Sequence, residues 1–116
     1  MKILLALLFI IITTVSFAQI PKSGTYIYNY CDMEYNKCIG KCKIKIKGNN
    51  IWIYAPANLT GIKEGELYES GTLHKNREGK WIITPHSSKE KSTATLNNDD
   101  GPPLWIDFKR TRFWTF

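Results

Sequence analysis

The 116-residue sequence has only two histidines and three cysteines, and no long apolar run beyond its first dozen residues. A helical bilayer span takes about 20 consecutive apolar residues, so nothing in residues 19–116 reads as one. Leucine and alanine are sparse there, and no stretch of eleven or more residues repeats with a helical period, which excludes a helical bundle. His74 and His86 have no serine or cysteine partner in a recognisable catalytic signature. The length is too short for a multidomain enzyme, a polytopic membrane protein or a large cofactor fold.

The N-terminus carries an export pattern. Lys2 precedes ten apolar residues, Ile3 to Ile12, the length of a secretory core and too short to span a bilayer. Ser16 and Ala18 are small residues at the −3 and −1 positions of a cleavage site, so Gln19 begins the mature chain. The competing reading is an uncleaved anchor. No cysteine follows the run directly, which argues against a lipoprotein. The pattern resembles signal peptides of Gram-negative bacteria, and implies a periplasmic or extracellular protein with no membrane span after cleavage. Residues 1–18 are then a signal peptide and 19–116 a single β-rich domain. Its formal charge is +5, because Lys2 leaves with the signal.

What remains is rich in Ile, Tyr, Trp, Phe and Thr, the residues of strands. Gly24–Cys31 places Tyr26, Tyr28 and Tyr30 on one face. Cys42–Lys47 alternates Cys42, Ile44 and Ile46 against Lys43, Lys45 and Lys47. Gly48-Asn49-Asn50 is a turn signal before Ile51–Tyr54, and so predicts a hairpin. A second hairpin joins Leu67–Lys75 to Lys80–Thr84, and a third joins Leu104–Phe108 to Thr111–Phe116. A short strand near Thr93–Leu96 is also compatible with the pattern. Pro56, Pro85, Pro102 and Pro103 all fall between runs. Seven or eight short strands predict an all-β fold. The expected form is an antiparallel meander closed or partly closed into a small barrel of lipocalin-like architecture, with a sandwich as the alternative. The rings of Trp105, Phe108, Phe113, Trp114 and Phe116 predict a structural C-terminal strand, and Asn97–Pro103 reads as a mobile loop.

Cys31, Cys38 and Cys42 form C-x6-C-x3-C. In an oxidising compartment this gives one disulfide and one leftover thiol. Strand phase favours Cys31–Cys42, with Cys38 free for another chain, and Cys31–Cys38 is the alternative. A zinc site would need all three thiolates plus His74 or His86, and the spacing matches no common finger. A reactive Cys38 would need a histidine or a cationic neighbour; Lys37 and Lys41 are close in sequence, but no catalytic signature surrounds them.

The positive balance points to acidic partners. Its sharpest feature is the comb of Lys43, Lys45 and Lys47, with Lys41 before it. A solvent-facing strand explains the comb without function. Tyr26, Tyr28 and Tyr30 supply rings beside it, a combination suited to an anionic glycan, an envelope component or a protein. Export argues against nucleic acid. Trp52, Trp81 and Trp105 are the candidates for lining an internal pocket. Asn98-Asp99-Asp100-Gly101 lacks the spacing of a calcium loop. Glu64, Glu66, Glu69 and Asp107 offer carboxylates with no distinctive pairing. Asn58-Leu59-Thr60 fits a glycosylation acceptor in a chain whose signal looks bacterial. No cofactor and no metal are implied.

The stretches "NLTGIKEGE", "EGKWII", "GPPLWIDF" and "FWTF" resemble an uncharacterised family of small exported bacterial all-β proteins. The resemblance implies a secreted β domain and no activity. The expected function is a non-enzymatic binding or interaction module at the envelope or outside the cell. The alternative is a small barrel that carries an apolar molecule. Protein recovered from its native culture is expected to begin at Gln19. N-terminal sequencing that starts at Met1 would overturn the cleavage site.

Overall fold

The computed structural model describes residues 19–87 and 103–116. The signal peptide, the candidate strand at Thr93–Leu96, Pro102, the Asn98–Gly101 turn and most of the Asn97–Pro103 loop lie outside the described residues. The strands are β1 (Gly24–Asp32), β2 (Lys37–Lys47), β3 (Asn50–Tyr54), β4 (Leu67–Lys75), β5 (Trp81–Pro85), β6 (Trp105–Asp107) and β7 (Arg112–Thr115). They form a closed barrel in sequence order, not a sandwich.

Six neighbouring pairs are antiparallel, as a meander requires, while the closing pair of β1 with β7 is parallel. Strand directions alternate along the chain. With an odd number of strands the first and last therefore run the same way, and the ring closes only through a parallel ladder. Asn29–Asp32 meets Arg112–Thr115 in that ladder. Backbone bonds from Asn29 N–H to Thr111 O and from Met33 N–H to Thr115 O, both 2.8 Å, extend it at either end.

Turn chemistry sets the hairpins. Gly48 opens the two-residue turn between β2 and β3 at φ +59°, a conformation that costs glycine nothing. Asn76 Oδ1 accepts the N–H groups of Glu78 and Lys80, both at 2.9 Å, and so shapes the turn into β5. Asp107 Oδ1 does the same for Lys109 and Arg110 before β7. Pro85 is the last residue of β5 rather than outside it, at a strand end where a missing donor is tolerated.

Each of the seven strands sends side chains into the interior. Ile44, Ile46, Ile51, Ile53, Leu73, Ile83 and Ile106 form an aliphatic belt. At the end where β1 finishes, Tyr30, Tyr68 and Phe113 meet with ring centroids 5.5–6.0 Å apart, and the Tyr68 hydroxyl lies 2.9 Å from Thr115 Oγ1. At the opposite end Tyr26, Tyr28, Phe108 and Trp81 follow one another edge to face. Burial, and then the Tyr68 hydroxyl, hold the Tyr30 phenol neutral well above the usual tyrosine range. Of the C-terminal rings, Phe113 and Trp114 are buried as expected, while Phe116 is 70% exposed.

The cysteine pairing differs from the one strand phase favoured. Cys31 bonds Cys38, and the free thiol is Cys42. The reason is register. β2 begins at Lys37, five residues before the alternating run, so the turn is only residues 33–36. Cys42 then pairs with Tyr28, and a bulge at Tyr30/Cys31 sets Cys31 opposite Cys38. Cys42 faces the core, where burial pushes its thiol up to about 11.

Gly71, on β4, is fixed by space. A Cβ there would collide with the Thr84 carbonyl oxygen and stand 2.7 Å from Ile83 Cγ2. Ile83 belongs to the core, so neither neighbour yields freely.

Two outcomes are expected. Alkylation of the native, unreduced protein labels nothing, unfolding exposes one site, and reduction exposes three. One label on the native protein would contradict a buried Cys42. Reduction is expected to lower stability by about 2–3 kcal/mol, the chain-entropy value for so short a loop. Gly71→Ala is expected to cost about 1–3 kcal/mol in urea unfolding; an unchanged midpoint would show that β4 and β5 can move apart.

Candidate functional site

The outer face of β2 and β3 follows from the barrel's alternation. Ile44 and Ile46 pair with Ile53 and Ile51 and point inward. Lys43, Lys45 and Lys47 therefore point out, and all three are exposed. Across the ladder, Trp52 and Tyr54 also point out. Lys45 pairs with Trp52 and holds its Nζ 5.6 Å from the indole centroid. Lys43 Nζ lies 4.7 Å from the Tyr54 centroid. Both distances suit a cation over a ring face.

Side chains two apart on a strand are about 7 Å apart, so Lys41 to Lys47 spans about 20 Å. Among the described residues none of these four lysines has an ion pair. On the β1 side the comb is flanked by Thr25 and Ile27, paired with Lys45 and Lys43, so no carboxylate neutralises it there. The result is a row of cations along β2 with aromatic rings beside it.

His86 completes the face. It follows β5 and folds onto the outside of β3 and β4, with its ring 5.9 Å from Trp52. Nδ1 lies 3.1 Å from Ser70 Oγ, and Nε2 lies 3.1 Å from Asn50 Oδ1. One arrangement satisfies both in the neutral ring: Nε2–H donates to Asn50, and Nδ1 accepts from the Ser70 hydroxyl. The trio resembles the parts of a serine hydrolase but lacks an oxyanion donor at Ser70. The Ser70 N–H is taken by Glu69 Oε1 at 3.1 Å. What the trio does is fix the imidazole against Trp52.

Several candidates from the sequence fall elsewhere. Tyr28 and Tyr30 are each 5% exposed and belong to the core, and Tyr26 is half-buried against it. The three tyrosines thus face inward and offer no binding surface. It is Ile27, between them, that faces solvent at 61%. Trp52, Trp81 and Trp105 do not converge on an internal pocket. Trp52 lies outside between inward Ile51 and Ile53, Trp105 lies outside and stacks on Trp114, and Trp81 packs inward on Phe108. Cys38 is not free, and the disulfide consumes two of the three thiolates a zinc site would need. Among the described residues no three His, Cys, Asp or Glu side chains gather as metal ligands.

His86 is the member of the face that sequence reading missed. Tyr54 shares strand phase with Trp52, a signal that was present. His86 meets partners 16 and 36 residues away, which no local pattern reveals. Compared with protein-family models, curated proteins and solved structures, the chain has no match. What it does has to be read from its own geometry.

Proposed function

We propose that this protein is an exported, non-enzymatic binding module that takes an acidic polysaccharide of the cell envelope along the outer face of β2 and β3. The observation that supports this is the row Lys41, Lys43, Lys45 and Lys47, exposed and without ion pairs among the described residues, beside the rings of Trp52 and Tyr54. A sugar ring presents an apolar C–H face that packs on an indole or phenol. Its carboxylates, or sulfates, meet the ammonium groups. Regular charge spacing along a strand suits a polymer better than a compact anion.

Location fits the same reading. The Cys31–Cys38 disulfide is compatible with an oxidising compartment, and among the described residues no helix is long and apolar enough to cross a membrane. The N-terminal pattern then sends the mature chain to the periplasm or beyond it. A non-enzymatic role fits a buried Cys42 whose thiol stays protonated. The carrier reading finds less support, because rings and isoleucines occupy the interior and Trp52 and Trp105 stand outside it.

The test is retention on an immobilised acidic polysaccharide such as alginate or heparin. Changing Lys43, Lys45 and Lys47 together to Glu is expected to abolish retention and leave the melting temperature within a few degrees, since all three are solvent-facing. Trp52→Ala is expected to weaken retention by about five- to tenfold, the loss of one ring contact. Retention unchanged in the triple variant would remove the face as the binding surface.

A further inference from the structure

The ladder that closes the barrel leaves part of β1 unpaired. β2 accompanies β1 from Gly24 to Asp32, whereas β7 meets it only from Asn29 onward. Residues 24–28 therefore have a strand on one side and none on the other. The direction of their backbone groups follows from Asn29, whose N–H points away from β2 and donates to Thr111 O at 2.8 Å. Backbone groups alternate sides along a strand, so the N–H and C=O of Ile27 and Thr25 point the same way as those of Asn29. The next bond of the parallel ladder would join Thr111 N–H to Ile27 O. It is not made, because Thr111 takes φ +54° and the chain leaves β1 there. Among the described residues these four backbone groups have no hydrogen-bond partner. Both residues are exposed, Ile27 at 61%.

This edge lacks the usual protection. Gly24-Thr25-Tyr26-Ile27-Tyr28 contains no charge and no proline. Its pairing with β2 is regular, since the bulge of β1 lies further on, at Tyr30/Cys31. Exposed edges are ordinarily blunted by charges, prolines or bulges, and a bare one rich in β-branched and aromatic residues is a template for a further strand. An added strand also finds side chains to meet on both of its faces. Outside, it runs beside Thr25 and Ile27. Inside, it reaches Tyr26 and Phe108, which are half-buried against the core, with Phe108 edge to face on Tyr28.

Charge decides what kind of strand fits. Lys22 is exposed just before the edge, and Lys109 and Arg110 are exposed just beyond it, next to Thr111. Lys45 and Lys43 pair with Thr25 and Ile27 on the adjoining strand. Asp107, the carboxylate of the β6–β7 turn, is already held by the Arg110 side chain and by the N–H groups of Lys109 and Arg110. A second copy paired edge to edge would bring two such sets of cations together. An acidic segment neutralises them instead.

We propose that the free edge of β1 at residues 24–28 takes an extended acidic segment of another protein as an added strand. Its backbone exchanges hydrogen bonds with Thr25 and Ile27. Apolar side chains on one face lie on Tyr26 and Phe108, and carboxylates on the other meet the surrounding cations. β1 lies on the far side of β2 from Trp52 and Tyr54, and the proposal stands without polysaccharide binding at β2 and β3.

The experiment is a titration of the folded mature chain, followed by NMR, with an octapeptide of alternating glutamate and valine. Two control peptides accompany it. Alternating lysine and valine reverses the charge, and alternating glutamate and proline keeps the charge but loses every second N–H. The expected result is a saturable shift of the Thr25 and Ile27 amides, with slower exchange of their protons. Each control is expected to bind at least about tenfold more weakly, the scale of two lost hydrogen bonds or of reversed charge. Ile27→Pro removes an edge donor and no bond to β2, because that N–H faces away from β2. It is expected to abolish binding while the rest of the spectrum keeps its dispersion. Ile27→Glu leaves the backbone alone and sets a like charge against the peptide, so it tests the edge even if the proline variant fails to fold. It is expected to weaken binding at least about tenfold. No saturable shift at Thr25 and Ile27, equal binding of the glutamate–proline peptide, or binding unchanged in Ile27→Glu would each overturn the proposal. So would a concentration-dependent dimer that shifts those same amides, since the edge would then belong to a second copy.

Discussion

The parallel ladder between Asn29–Asp32 and Arg112–Thr115 joins the two ends of the domain, and with it the remaining strands acquire an inside and an outside. An open meander would leave β1 and β7 as edges, with unpaired backbone groups inviting other chains. Closure pairs β7 along its whole length and leaves β1 open only at residues 24–28. It also brings Tyr30 beside Phe113 and Tyr68, so that one end of the interior is shut by rings. The cost is entropic, because the pairing connects segments from opposite ends of the sequence. The disulfide at the tip of β1 and β2 and the tight turn at Gly48 offset part of that cost by ordering β1 to β3 locally. The exposed lysines of β2 follow from the same closure: once Ile44 and Ile46 are inside, Lys43, Lys45 and Lys47 have one place to go.

Much of this was legible in residue order. β4 was read with the limits it has in the barrel, Leu67–Lys75, and the strict alternation of Cys42–Lys47 assigned the lysines to solvent. The first half of β2 was not legible. Lys37–Lys41 has no apolar alternation, yet backbone hydrogen bonding carries the ladder through it, and the cysteine pairing changed with that extension. Alternation separates two faces without saying which one is buried. In β1 the tyrosines took the interior and Ile27 the surface, because large rings are needed to cap a barrel whose middle is filled by isoleucines. In β3 the choice went the other way: Ile51 and Ile53 fit the belt, and Trp52 was left outside beside Lys45.

Two lysines lie next to a tryptophan on the outside of the barrel, Lys45 with Trp52 and Lys80 with Trp105. Their surroundings separate their chemistry. Along β2 the pleat repeats the cation at even intervals, the pattern on which the proposed polymer binding rests. Between the turns Lys80 sits instead beside Lys109, Arg110 and the paired Asp107.

The position of Cys42 bears on how the chain survives oxidation. Three cysteines permit three intramolecular pairings, and a spare thiolate ordinarily attacks an existing disulfide and reshuffles it. Here the spare sulfur lies opposite Tyr28 under the barrel wall and keeps its proton well beyond neutral pH. Exchange needs a thiolate with access to a sulfur, and folding withdraws both conditions together. The folded barrel therefore shields the Cys31–Cys38 bond from its own third cysteine, which is held buried and protonated.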